Sequence, residues 1–243
     1  MVDLIFPDWP APPNVKAVVT TRRGGVSGAP YDSFNLGSHV GDEPARVARN
    51  RALLKEFADL PADPLWLQQV HGCGVAQFGG ELPPIEADAA TTFVPGRVCA
   101  VLTADCLPLL ICNRSGTRVA AVHAGWRGLV SGVIEATLER FGKEDELLVW
   151  LGPAIGPTAF EVGKEVRDAF LSDDPQAETG FMPGRAGHWM ADLYLLARRR
   201  LALPRVAFVG GGEYCTHSES DRFFSYRRDG ITGRMASLVW LTE

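Results

Sequence analysis

The chain is poor in whatever would staple a protein covalently or carry it into a membrane. Its five cysteines among 243 residues are an odd number at irregular spacing, with no C-x-x-C pair. That excludes a disulfide framework and leads us to expect the reduced thiols of a cytoplasmic protein. The longest apolar run, Val98 to Cys112, is broken by Asp105 and Pro108 and falls short of a bilayer span. No Lys or Arg precedes Lys16, which does not read as a secretory leader. Positive charge is scarce too, with 24 Lys and Arg against 29 Asp and Glu, a net charge of −5 and no basic block. Nucleic acid and anionic membrane are captured by clustered cations, so neither is expected as a main partner. A small molecule moves up instead.

What is present is ordinary globular material, 46% apolar and 22% charged. A chain of this length can bury roughly 70–75% of its unfolded surface, so it needs no metal merely to fold. Any bound metal is therefore expected to be functional. There is no internal repeat, low-complexity tract or linker, and the densest loop signals, near Pro83-Pro84 and Ser172 to Gly187, are short. One domain over residues 1–243 is expected.

Strands are expected at Val15–Thr20, Trp66–Val70, Val98–Thr103, Val119–His123, Leu147–Leu151 and Val206–Val209, largely apolar and rich in β-branched residues. Helices are expected over Asp42–Ala58, Leu129–Phe141 and Met190–Leu201, where apolar residues recur on one stripe. The paired glycines of Thr21-Arg22-Arg23-Gly24-Gly25 permit a turn with positive φ. Strands outnumber helices without alternating regularly, which predicts an α+β fold with a mixed sheet core flanked by helices.

Three segments put a metal ligand where a strand gives way to a turn: Gln68-Gln69-Val70-His71-Gly72, Thr103-Ala104-Asp105-Cys106-Leu107-Pro108, and Ala121-Val122-His123-Ala124-Gly125-Trp126-Arg127-Gly128. Two His and one Cys leave a fourth tetrahedral position for water, the arrangement of a catalytic zinc. Zinc of this kind lowers the pKa of bound water to about 7 and polarises carbonyl or phosphoryl oxygens. Taken singly, each histidine is more often a hydrogen-bonded core residue, and Cys106 in an apolar strand is more often an inert buried thiol.

Together these segments resemble the YfiH-type laccase-domain family, also called multicopper polyphenol oxidase-like. Further motifs agree in order: Thr20-Thr21-Arg22-Arg23-Gly24-Gly25-Val26-Ser27, Asn35-Leu36-Gly37, Val40-Gly41-Asp42, Asn50-Arg51, Leu151-Gly152-Pro153-Ala154-Ile155-Gly156, Phe160-Glu161-Val162-Gly163 and Phe224-Ser225-Tyr226-Arg227-Arg228-Asp229-Gly230. The resemblance runs from about Val15 to the C-terminus. It implies a zinc held by His71, Cys106 and His123, which would also be the catalytic residues. It implies phosphorolysis of purine nucleosides (adenosine, inosine, guanosine, methylthioadenosine), with phosphate as co-substrate and adenosine deamination alongside. The implied fold is a β-sandwich of mixed sheets with outer helices, similar to the catalytic domain of cytotoxic necrotizing factors.

The residues bear on these implications. A multicopper cluster of the laccase kind needs many imidazoles, and this chain has five His, of which His39, His188 and His217 read as scattered. A single copper would want an axial Met beside its His and Cys ligands. Met1, Met182, Met190 and Met235 neighbour no ligand motif, so copper is the less favoured metal. The H-x-E and P-C-x-x-C pattern of zinc nucleobase deaminases is absent, leaving deamination to a water on the open metal position. No P-loop is present. Phosphate candidates are Arg127 with the helix start near Gly128, and Arg22 in the Gly-rich turn. Asn35 joins the candidate ligand-binding set. Arg51, on the apolar side of its helix, either meets a ligand or is paired internally with a carboxylate. Gln69 shares the His71 face of an extended segment and is a candidate for the purine or the metal water. Asp105 either orients a ligand or caps its turn, Arg227 and Arg228 read as loop braces, Trp126 as core, and the other four cysteines as structural.

Three rival functions remain open at this stage. One is a cysteine hydrolase or deamidase with Cys106 as nucleophile and His123 as base. Another is a copper-dependent polyphenol oxidase, and the third a non-catalytic metal- or nucleoside-binding module.

Overall fold

The computed structural model describes residues 2–78 and 86–243, and Pro83-Pro84 lies outside them. In chain order its elements are β1 (Leu4–Ile5), β2 (Val15–Thr20), α1 (Pro44–Phe57), β3 (Val75–Phe78), β4 (Ala89–Thr92), β5 (Val98–Thr103), β6 (Leu107–Asn113), β7 (Val119–Ala124), α2 (Trp126–Val130), α3 (Val133–Leu138), β8 (Leu147–Leu151), β9 (Glu161–Gly163), α4 (Lys164–Asp173), β10 (Phe181–Pro183), β11 (His188–Ala191), α5 (Leu193–Arg200), β12 (Val206–Gly211), α6 (Tyr226–Asp229) and β13 (Met235–Leu241). A 3₁₀ turn covers Pro175–Gly180. Among the described residues no helix is long and apolar enough to cross a membrane.

The strands form an antiparallel sheet ordered β1-β2-β13-β5, a mixed sheet ordered β12-β8-β6-β7-β4-β3, and a small sheet ordered β10-β11-β9. In the mixed sheet β12 runs parallel to β8 and β3 parallel to β4; the other pairs are antiparallel. Side-chain alternation fixes how the layers stack. Leu107, Leu109 and Ile111 of β6 join Leu129, Ile134, Phe170 and Leu193 beneath the helices, whereas Leu110 and Cys112 join Val101, Trp150 and Val239 between the two large sheets. On the far side of β5, Val98, Ala100 and Leu102 pack with Leu54 of α1. The result is helix, sheet, sheet, helix, in agreement with the expected α+β arrangement. Strands covered on both faces read as continuous apolar runs, which is why β5, β7 and β8 are plain in the sequence.

Four expectations need correction. Among the described residues Trp66–Val70 forms no strand; it makes an isolated bridge at Gln68, with another at Leu65 just before it. The Gln69 side chain substitutes for a ladder there, donating to the Leu102 carbonyl and accepting from its N–H, both at 2.8 Å. The Leu129–Phe141 helix is two helices, because Gly132 adopts a left-handed φ of +83° and ends the first turn. Met190 belongs to β11, and α5 starts only after Asp192 caps the Leu195 N–H at 2.9 Å. Pro108, read as a break, is the second residue of β6, close enough to the strand start to be tolerated.

The loop between β2 and α1 is held by a fully buried amide. Asn50 Oδ1 accepts from the Val26 N–H at 2.8 Å, and its Nδ2 donates to Ser27 Oγ and the Asn35 carbonyl at 2.9 and 2.8 Å. Gly24 takes the anticipated positive φ of +96°. At Gly25 the need is proximity, since a Cβ would sit 2.3 Å from the Ser33 carbonyl. Asn50→Ala strands these buried partners, at roughly 2–3 kcal/mol, so thermal unfolding should fall by about 5–10 °C. A melting temperature within about 2 °C of wild type would show that the amide does not organise this loop.

Candidate metal centre and its two cavities

The site is built around Asp88, which is fully buried immediately before β4. Antiparallel pairing of β4 with β7 brings it beside His123: the His123 N–H donates to the Asp88 carbonyl at 2.7 Å, and Nδ1 lies 2.8 Å from Oδ1. That bond leaves Nε2 of a 3%-exposed imidazole free for another partner. The same carboxylate accepts from the N–H groups of Val70, His71 and Gly72 at 3.3, 2.9 and 2.7 Å. These bonds fold the chain at His71 into a left-handed conformation, φ +61°. Burial would raise the Asp88 pKa, but the bonds from His123, Gly72 and His71 outweigh it and hold the carboxylate below its ordinary value.

Cys106 comes from the turn between β5 and β6. Its neighbour Asp105, at φ +89°, accepts from Thr216 Oγ1 at 2.6 Å and from the Arg227 N–H at 2.7 Å. Of the two roles open to Asp105, bracing the turn is the one its contacts show. Cys106 Sγ then lies 3.8 Å from His71 Nε2, the His71 and His123 ring centroids are 4.7 Å apart, and the three ligand atoms all fall within 4.8 Å of one another. Burial would raise the Cys106 thiol, yet the two imidazoles draw it down to about 6. Burial would lower His123, yet the sulfur and Asp88 draw it up to about 9. A thiolate and a buried carboxylate thus converge where one proton, or one cation, balances them. Gly125 leaves the necessary room, since a Cβ there would be 3.0 Å from both Cys106 Sγ and His71 Cδ2. Two nitrogens and a thiolate at this spacing fit a borderline-soft metal ion.

Two cavities meet at His71 and Cys106. One, of about 250 Å³, is walled by Trp126, Ile155, Phe160 and Leu193, with Arg127 and Arg227 at its margin. The other, of about 350 Å³, is lined by His123, His39, Gln69 and Arg234 together with Leu102 and Thr103. Tyr226, exposed on the short α6, lines both. Trp126, read as core, is instead partly exposed in a cavity wall, with the Arg127 guanidinium 4.5 Å above its ring.

The other candidate residues divide. Arg127 is at the site. Arg22 is elsewhere, in a depression with Arg23, Asp32, Ser33 and Ser220, and donates to the Asp32 and Ser220 carbonyls at 2.8 and 2.9 Å. Asn35 is fully buried and binds Asp42 and Gly37 rather than facing a cavity. Among the described residues Arg51 pairs with no carboxylate; it donates to the Leu36 carbonyl at 3.0 and 2.8 Å and stacks 4.2 Å from the Trp66 ring. Gln69 reaches the cavity wall with both amide atoms already committed to Leu102. Arg228 is a brace, as expected, donating to the Thr216, His217 and Phe223 carbonyls. Reading the sequence missed Asp88, Tyr226 and Arg234, and His39 is not scattered but lines a cavity. A lone Asp among alanines, Ala87-Asp88-Ala89-Ala90, was the available sign of a buried carboxylate.

The family described as multi-copper polyphenol oxidoreductase laccase matches residues 16–242. Purine nucleoside phosphorylases from Pseudomonas aeruginosa and Escherichia coli (YfiH) are 56% and 54% identical to the chain, over 98% and 99% of its length and 98% and 100% of theirs. The crystal structure of the Neisseria meningitidis protein NMB0706 superposes with a TM-score of 0.92 at 49% identity, covering 99% of each chain. The chain belongs to the YfiH-type laccase-domain family. For a member of a laccase-domain family its imidazoles at the site are few. Among the described residues only His39 lies with the His71 and His123 pair in the cavities at the centre, and no Met lines either one. Met235 accepts from the Phe224 N–H at 3.1 Å in the interior instead.

Asp88 holds His123 without being one of the three candidate ligands, so Asp88→Asn should weaken affinity for a first-row divalent ion by about 10–100-fold in chelator competition. Gly125→Ala should weaken it too, by wedging a methyl between Cys106 and His71. Wild-type affinity in both variants would contradict the assignment of these roles.

Proposed function

We propose that the chain, acting as a single domain, is a zinc-dependent purine nucleoside phosphorylase with His71, Cys106 and His123 as metal ligands and catalytic centre. The observation that carries this is the convergence of those three side chains, oriented by Asp88, at the junction of an aromatic-walled cavity and one lined by His39, Gln69 and Arg234. The sequence likeness to proteins named purine nucleoside phosphorylase supports it. Zinc is favoured over copper because the donor set holds one thiolate and two imidazoles with no thioether lining the cavities.

Phosphorolysis breaks the bond from ribose C1′ to purine N9 and forms a bond from C1′ to a phosphate oxygen, and the purine leaves with a proton. The chain must therefore bury a flat apolar base, hold an anion at C1′ and keep the two in register. The Trp126, Ile155, Phe160 and Leu193 walls suit the base, with Tyr226 between the cavities as a second aromatic surface. Zinc at the three ligands would supply a Lewis acid that polarises a substrate oxygen. Adenosine deamination belongs to the same proposal, since the centre would face the base edge from the cavity junction. Inosine, guanosine and methylthioadenosine share the purine and ribose features this arrangement would read.

A second reading has one specific observation in its favour. Cys106, His123 and Asp88 also form a thiol, imidazole and carboxylate relay of the kind cysteine hydrolases use. His71 has no role in that relay and a direct one in metal binding.

Purified protein incubated with inosine and phosphate should release hypoxanthine only when phosphate is present. Removal of zinc by a chelator, or His71→Ala, should abolish release, and added zinc should restore it to the chelated wild type. Hypoxanthine release that persists in metal-free protein would overturn the zinc reading. Amide hydrolysis blocked by a thiol alkylator but not by a chelator would establish the rival.

A further inference from the structure

Neither family likeness nor the ligand triad says where an anion would sit, and the arginines that suggested themselves from sequence do not settle it. The structure offers another place. In the larger of the two cavities, Arg234, the residue before β13, reaches the wall shared by His71, Cys106 and His123. Its Nη1 donates to the Thr232 and Gly233 carbonyls, both at 3.0 Å. Among the described residues its remaining side-chain N–H groups have no hydrogen-bond partner, and neither Arg234 nor Arg51 takes part in an ion pair. The negative groups that act on it are the Cys106 sulfur and Asp105, and neither is bonded to it, so a half-buried guanidinium keeps spare donors beside the centre.

Its surroundings reinforce the sign of the field. His39 lines the same cavity, and its pKa is lowered by burial and then by the charges of Arg234 and Arg51. The carboxylates of the neighbouring loops face other donors. Asp42 accepts from Ser27 and Asn35, and Asp105 from Thr216 and Arg227. Among the described residues Arg234 and Arg51 thus stand beside the centre without a bonded carboxylate in a protein whose net charge is −5.

The arginine is also held in place. Asn35 Oδ1 accepts from the Arg234 N–H at 2.9 Å, the Leu36 N–H donates to its carbonyl at 3.2 Å, and a Cβ on Gly37 would be 2.8 Å from its Cγ. Asn35 is in turn tied to Asn50, and Leu36 to Arg51. The Asn35 and Arg51 positions thus fix the wall that presents Arg234 and His39.

We infer that Arg234 and His39 form the oxyanion subsite of this centre and hold inorganic phosphate beside the metal ligands, on the opposite side of His71 and Cys106 from the aromatic-walled cavity. This rests on the phosphorylase reading above. It separates the substrates physically: the base occupies the Trp126 and Phe160 side, the anion occupies the Arg234 side, and ribose C1′ lies between.

Initial rates of hypoxanthine release, with phosphate and inosine varied independently, test it. Arg234→Gln should raise the KM for phosphate by about 10–100-fold, the loss expected for charge-assisted hydrogen bonds, while the KM for inosine stays within about threefold. His39→Gln should shift the phosphate KM in the same direction by a smaller factor, and Arg234→Lys should fall between Arg234→Gln and wild type. Arg22→Gln, in its separate depression, should leave the phosphate KM unchanged. Circular dichroism confirms folding, and if Arg234→Gln does not fold, the Lys and His39 variants carry the comparison. A phosphate KM unchanged in the folded variants overturns the subsite while leaving phosphorolysis standing. If wild-type protein releases no hypoxanthine, the phosphorylase reading fails instead. Calorimetric titration of the holoprotein with inorganic phosphate alone then decides the subsite: binding lost in Arg234→Gln supports it, and absent or unaltered binding overturns it.

Discussion

One buried carboxylate organises the centre. Asp88 accepts from three consecutive main-chain N–H groups and from the imidazole of His123, so a single side chain fixes both histidines that face Cys106. Without it the Val70 to Gly72 segment would have neither a ladder nor a side chain to satisfy its backbone, and His71 would have no reason to hold a left-handed conformation. A carboxylate buried this completely is costly unless fully bonded, and here the cost is offset by partners that are themselves the functional groups.

The remaining ligand is positioned from a different direction. Cys106 lies on the link from the antiparallel sheet to the mixed sheet, β5 to β6, and Asp105 anchors that link to Thr216 and to the start of α6. The centre therefore forms only when both large sheets and the C-terminal segment have packed together. Segments 16 to 122 residues apart in sequence are joined by these two acidic side chains. The two cavities follow from the same placement, since α6 carries Tyr226 across the junction and the approach to β13 carries Arg234.

The legibility of this arrangement in the sequence tracks burial. β5, β7 and β8 are covered on both faces and read directly as apolar runs, and the end of the His123 strand is marked by Gly125. The Trp66–Val70 segment misleads because its backbone bonds go to side chains, and a propensity pattern registers hydrophobicity without revealing who accepts the hydrogen bonds. Asn50 and Arg51 fall on the inward side of α1 as helical phase requires, but phase does not say that their partners are loop carbonyls. Arg234 is hidden for another reason: β13 sits near the end of the chain between short loops, and only the sheet order places it beside β5 and hence beside Cys106. The family likeness named the ligand triad, but Asp88 and Arg234 emerged only from distances.

The central claim is that His71, Cys106 and His123 hold one metal ion directly. X-ray absorption at the zinc edge of the purified protein tests it without reference to any substrate. The account predicts one sulfur at about 2.3 Å and two or three nitrogen or oxygen neighbours at about 2.0–2.1 Å, with the sulfur shell gone in Cys106→Ser. A shell of nitrogen and oxygen alone in wild type, or a sulfur shell that survives in Cys106→Ser, would contradict it.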